Sequence, residues 1–177
     1  MTQTTLTPPS VECPTRYPWF AVRIKANYEK ATAAALDGKG YEVYLPLYRR
    51  RSRWSDRMVV TERPLFPGYL FCRFDYKKRL PVIVTPGVLS IVEFGNEPAP
   101  IEQKQIEAVQ AILSSGVATE PCQFLQEGQR IRIEYGPLQG IEGILLKKKS
   151  EWRLVISIYM LQRSISIEID RGWITTT

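Results

Sequence analysis

Residues 62–75 read ERPLFPGYLFCRFD, which packs two prolines, a glycine and a cluster of aromatic and aliphatic side chains into fourteen positions. Pro67-Gly68 marks a turn. After it the chain reads as a strand whose two faces are both apolar. Tyr69 and Phe71 fall on one face; Leu70, Cys72 and Phe74 fall on the other. A strand that is apolar on both sides is covered on both sides. A core satisfies that pattern for Phe66, Tyr69 and Phe71, and so does a docking surface for a partner.

Working outward, WFAVRIK (Trp19 to Lys25) alternates Phe20, Val22 and Ile24 against Ala21, Arg23 and Lys25, the period of a half-buried strand. Asn27 is placed to cap a helix running through about Leu36, with Gly38 and Gly40 ending it. YEVYLPLY (Tyr41 to Tyr48) reads as a second strand, with Pro46 putting its end at an edge or bulge. RRRSRWSDRM (Arg49 to Met58) has no apolar period and reads as a loop or hairpin tip. LPVIVTPGVLSIVEFG (Leu80 to Gly95) supplies a short element, a Pro86-Gly87 turn and a further strand. A second helix spans about Glu102 to Ser114, with Ile106, Val109 and Leu113 as its stripe and Ile112 beside it. The order predicts an α+β domain, an antiparallel sheet with flanking helices, over residues 17–115.

Gly116 and Pro121 break a small, polar stretch, so residues 116–124 read as a linker. Beyond it, residues 125–177 change to period two. Ile131, Ile133 and Tyr135 alternate with charged residues. Trp152, Leu154, Ile156, Ile158 and Met160 share one face of a strand, and Ile165, Ile167 and Ile169 share one face of another. About five short strands predict a small β-barrel. Residues 1–16 read as a disordered tail without the pattern of a signal peptide, and no run approaches a membrane span, so a cytoplasmic location is expected.

The chain has 177 residues, a net charge of +6 and no histidine. The commonest general base and metal ligand is therefore missing. Cys13, Cys72 and Cys122 are far apart and lack metal-ligand spacing. These features argue against an enzyme, and neither cofactor nor metal is implied. Residues 17–115 hold 15 basic and 10 acidic residues, against 8 and 6 in residues 125–177, so a nucleic-acid role should lie mainly in the first part.

Several motifs in one order resemble the NusG family of transcription elongation factors. WFAVRIKANYEKA, PLFPGYLFCRFD, TPGV followed by FG, and PAPIEQKQIEAV resemble its NGN domain. EGQRIRIEYGPLQGIEGIL resembles a KOW motif, with Gly140 at the characteristic glycine. The resemblance implies an NGN domain followed by a KOW β-barrel, acting as a monomeric antitermination or elongation factor. It implies binding to the clamp helices of the RNA polymerase β′ subunit, contact with DNA or RNA of the elongation complex, and recruitment of Rho or a small-subunit ribosomal protein through the KOW domain. It carries the polymerase surface onto Phe66, Pro67, Tyr69, Phe71, Phe94 and the aromatic pair Trp19 and Phe20, and a KOW partner position onto Tyr159, for which barrel packing is the other reading. Gly140 serves a turn.

Two features depart from the specialised relative RfaH. The first helix presents Ala33, Ala34 and Ala35 where RfaH carries DNA-reading polar residues, and Lys78-Arg79-Leu80-Pro81 replaces its threonine-rich run against the polymerase β subunit. RRRSRWSDR and the LQRSISIEID ending are similar to paralogues of UpxY type. Arg49, Arg50, Arg51, Arg53 and Arg57 surround Trp54, a composition suited to phosphate contact with base stacking; a solvated loop tip is the other reading. Lys147, Lys148 and Lys149 divide between a solvated turn and RNA or ribosomal-protein contact. The rival for the whole chain is a ribosome-associated KOW RNA-binding protein, which should concentrate its charge around the barrel.

Overall fold

A computed structural model describes residues 17–54, 57–122, 128–148, 151–158 and 161–174, with backbone alone for 51–54, 147, 148, 151 and 171. The tail 1–16 and Tyr159 lie outside the described residues. The central strand is β1 (Trp19–Ile24). It pairs antiparallel with β5 (Tyr69–Arg73) on one side, and with β6 (Val88–Ile91) and the short β9 (Pro100–Ile101) on the other. β2 (Glu42–Tyr44) extends the sheet beyond β5.

The alternation read in ERPLFPGYLFCRFD becomes two cores. Leu70, Cys72 and Phe74 join Phe20, Val22 and Ile24 in one, where α1 (Glu29–Asp37) contributes Leu36 and the short α2 (Leu80–Ile83) contributes Val82. Phe71 joins Trp19, Ala21, Leu65 and Phe66 in the other, where α3 (Gln103–Ser114) contributes Ile106, Val109 and Ile112. Leu113, read as part of the helix stripe, is only half-buried. Period two makes this division unavoidable, because successive side chains point to opposite faces.

Two Pro-Gly turns hold the far end of β1 from either side. Phe66-Pro67-Gly68-Tyr69 closes with the Tyr69 N–H donating to Phe66 O (3.1 Å), and Thr85-Pro86-Gly87-Val88 closes with Val88 N–H on Thr85 O (3.1 Å). Gly68 and Gly87 take φ of 80° and 92°, the third position of a type II turn. Their carbonyls accept from the consecutive N–H groups of Ile24 (2.7 Å) and Lys25 (2.8 Å). Asn27, expected as a helix cap, instead takes φ 68°; the cap position falls on Tyr28, which makes no side-chain capping bond.

β3 (Leu47–Trp54) and β4 (Arg57–Pro64) form a long hairpin that pairs with no other strand among the described residues. Of the two readings of Arg49 to Met58, the hairpin tip holds: the segment is the distal end of this hairpin, with strand reaching Trp54 opposite Arg57. β7 (Glu93–Phe94) and β8 (Glu97–Pro98) form a small hairpin turned by Gly95 and Asn96, both at positive φ, as a two-residue hairpin requires.

The second half is a five-stranded antiparallel sheet in the order β10-β14-β13-β12-β11. Its strands are β10 (Thr119–Cys122), β11 (Gln129–Arg132), β12 (Glu142–Lys148), β13 (Glu151–Ile158) and β14 (Arg163–Ile169). The expected closed barrel is not what forms among the described residues: no pairing joins β10 to β11, so the sheet is open. Part of the expected linker supplies the edge strand β10. Pro121 sits within it, and proline is tolerated at an edge because it has no N–H to donate to a further strand. Trp173 lies in a 3-10 turn, Arg171–Trp173, and its carbonyl accepts from Glu134 N–H (2.9 Å). No helix among the described residues is long and apolar enough to cross a membrane.

Candidate functional site

The face opposite α1 gathers aromatic rings. Phe66 and Phe71 meet edge to face with centroids 5.7 Å apart, and Tyr44 stacks on Phe71 at 6.2 Å. Tyr69 packs half-buried against the same cluster. Aromatic pairs in these geometries add to the burial of their area. Pro67 is exposed at the turn between Phe66 and Tyr69. The turn is anchored from below: the Gly68 N–H donates to Glu29 Oε1 at 3.0 Å. Glu29 is buried in the first turn of α1, where the positive end of the helix dipole and that N–H complement its negative charge.

Trp19 lies on this face, buried. Its Nε1–H donates to Gln103 Oε1 (2.8 Å), and the Arg73 guanidinium lies 4.7 Å over its ring while pairing with Glu42 at 2.8 Å. Phe20 does not share the face. It packs in the opposite core with Phe74 at 5.0 Å and Tyr76 at 5.4 Å, so the aromatic pair is divided by the sheet. Phe94 stands apart on the small hairpin, 80% exposed and in neither core. Tyr44 was missed as part of the aromatic face, although its alternation with Val43 and Leu45 carried the signal.

Phe66 and Phe71 are only 1% and 0% exposed. Their cluster is continuous with Ile133, Leu138, Leu154 and Ile165 of the second half of the chain. The aromatic face is therefore part of an apolar core that includes both halves of the chain.

Arg49, Arg50 and Arg57 are exposed along the hairpin. Backbone register places Arg51 opposite Val60, Arg53 opposite Met58 and Trp54 opposite Arg57. Met58 and Val60 are themselves exposed, so the hairpin combines cationic and apolar surface. Gly140 takes φ 86° and its N–H donates to Ile133 O at 2.8 Å, which fixes a turn. A Cβ there would meet only Arg132 Nη2 at 3.8 Å, so backbone conformation rather than space selects glycine. Among the described residues no cluster of His, Cys, Asp or Glu could hold a metal. Burial pushes the Cys72 thiol up to about 12, with Glu42 adding to the shift, so it stays protonated near neutrality.

The family model for "Transcription termination factor nusG" matches residues 17–110, just over half of the chain. The chain belongs to the NusG family. The Borreliella burgdorferi transcription termination/antitermination protein NusG is 24% identical over 173 residues, covering 86% of this chain and 94% of that protein. Its Thermus thermophilus counterpart is 27% identical over 173 residues with the same coverage. Both names support a role as a transcription factor. A solved structure described as "Domain interaction in Thermotoga maritima NusG" superposes with a TM-score of 0.56 at 16% identity, covering 90% of this chain and 96% of that one, which supports the fold. The matched region includes the aromatic face and the arginine hairpin.

Proposed function

We propose that this NusG-family factor acts in elongation and antitermination by binding RNA polymerase through its aromatic face. The partner is the pair of clamp helices of the β′ subunit. Phe66, Tyr69 and Phe71 supply the central contact, Pro67 shapes the rim and Phe94 reaches out from the small hairpin. The carrying observation is the aromatic cluster on the sheet face opposite α1, built on a turn fastened to both β1 and α1. Large, stiff rings give much contact area at little entropic cost, which is why aromatics dominate interface energetics.

The burial of Phe66 and Phe71 adds a condition. In this reading the second half of the chain, which shares their core, is what moves off these rings when a partner helix reaches them. Polymerase binding in this reading is therefore coupled to separation of the halves. The second sheet, a KOW-type module, then becomes free to recruit Rho or a ribosomal protein, and the exposed hairpin arginines contact nucleic acid of the elongation complex. The factor works by binding, not catalysis, in the cytoplasm.

Affinity capture with the full chain tests the reading. RNA polymerase should be recovered, and Tyr69→Ala should lose it while the protein stays folded. Recovery of ribosomes without polymerase would overturn the proposal.

A further inference from the structure

Glu29 is a carboxylate that is only 7% exposed, and the ion pairs among the described residues all engage other side chains. Burying a charge is costly unless something complements it. At Glu29 the complement is the first turn of α1 together with one backbone group, the Gly68 N–H at 3.0 Å. That N–H belongs to the peptide between Pro67 and Gly68, at the centre of the turn that carries Phe66 and Tyr69.

The central peptide of a β-turn can face either of two ways. The second central residue takes φ of about −90° in a type I turn and about +80° in a type II turn, and the peptide before it is turned over between the two. Proline suits the first central position of both types, and glycine takes either sign of φ, so Pro67-Gly68 permits both. Gly68 takes φ 80°, the type II orientation. The bond that closes the turn runs from the Tyr69 N–H to Phe66 O, which leaves the Gly68 N–H to an acceptor outside it. Glu29 is that acceptor. The second turn repeats the device. Thr32, one turn further along α1, donates to Pro86 O at 2.9 Å and so grips the Pro86-Gly87 peptide by its carbonyl. One helix therefore fixes the central peptide of both turns, from the side of the sheet away from the aromatic face.

We propose that Glu29 is a positioning residue for polymerase binding. Its carboxylate holds the Pro67-Gly68 peptide in the type II orientation, and so sets how Phe66, Pro67 and Tyr69 are presented to the clamp helices. Glu29 acts from behind the sheet, through the turn, and makes no contact with the partner. A surface already held in its bound shape loses no affinity to being ordered on binding. The inference rests on the polymerase reading above and adds to it a residue from the opposite side of the sheet.

The test measures the dissociation constant of the full chain for core polymerase, with the melting temperature of each variant beside it. Glu29→Ala should weaken binding severalfold. Glu29→Gln, whose amide oxygen can still accept the Gly68 N–H, should restore most of the loss. Glu29→Asp keeps a carboxylate at the start of α1 but is one methylene too short for Gly68, so it should bind as weakly as Glu29→Ala and carries the test if that variant does not fold. Thr32→Ala controls for damage to α1: it should melt lower and bind as the parent does. Glu29→Ala should add nothing to the loss caused by Tyr69→Ala, because Glu29 acts through the turn that places this ring, whereas independent effects would add. Parental affinity in both Glu29→Ala and Glu29→Asp, with Tyr69→Ala weakened, would overturn the positioning role and leave the polymerase reading standing. So would additive losses, an equal loss in Thr32→Ala, or a Glu29→Gln protein as weak as Glu29→Ala. Parental affinity in Tyr69→Ala would instead overturn the polymerase reading, and this inference with it.

Discussion

Gly87 is the position where a single methyl group should do the most damage. It holds φ 92° in the turn that closes against β1. A Cβ there would lie 2.2 Å from Thr32 Oγ1 and 3.1 Å from Tyr28 Cβ. Thr32 is fully buried in α1, and its hydroxyl donates to Pro86 O at 2.9 Å. Gly87→Ala therefore meets two costs. Left-handed backbone costs an alanine about 1–2 kcal/mol. Rotating Thr32 out of the way forfeits its hydrogen bond and strands a buried hydroxyl, about 1–3 kcal/mol more. The sum is about 2–5 kcal/mol, a fall in melting temperature of roughly 5–15 °C for a chain of this size. The assay is chemical unfolding followed by tryptophan fluorescence, in a cycle with Thr32→Ala. With the hydroxyl gone, Gly87→Ala should cost only the backbone part. Equal costs in both backgrounds, within about 0.5 kcal/mol, would refute the steric argument.

Leu70→Ala should cost about 2–5 kcal/mol, because it empties space in the core beneath α1, and should leave polymerase affinity unchanged at temperatures below the transition. Replacing Arg49, Arg50 and Arg57 with alanine should reduce crosslinking to DNA in an elongation complex and flatten the salt dependence by about 0.9 for each duplex phosphate that is no longer neutralised. Cys72 should resist maleimide at pH 8 until the protein unfolds, since burial keeps its thiol protonated. The pKa of Cys72 and that of Tyr44 are both raised to about 12 on folding. The unfolded chain releases these protons first, so the contribution of these two groups to stability should be constant below about pH 8 and decline from there towards pH 12, read as a melting temperature that falls over that range.

Local periodicity made much of this molecule legible. The two-faced strand after Pro67-Gly68, the alternation of Trp19–Ile24 and the stripe of α3 each follow from side-chain spacing within one element. That same period separates Trp19 from Phe20, so a motif that names adjacent aromatics as one surface conflicts with the geometry of a strand. Other features depend on distant segments. Thr119–Cys122 has no apolar alternation and becomes a strand because β14 offers an unpaired edge. RRRSRWSDRM reads as a loop or hairpin tip; it is the distal end of a hairpin, and how far strand pairing reaches into it is not legible, because arginines do not report strand pairing. The core that Phe66 and Phe71 share with Ile133 and Leu154 joins distant parts of the chain, where no local pattern points.

The central claim is that the aromatic face holds RNA polymerase. Its most direct measurement is the dissociation constant of the full chain for core polymerase, with Tyr69→Ala compared against Leu70→Ala. Removing a central aromatic ring should cost about 2 kcal/mol or more, a weakening of roughly thirtyfold, for Tyr69→Ala. Leu70→Ala, on the opposite face of the same strand, should bind as the parent does while melting lower. Unchanged affinity for a folded Tyr69→Ala protein would contradict the account.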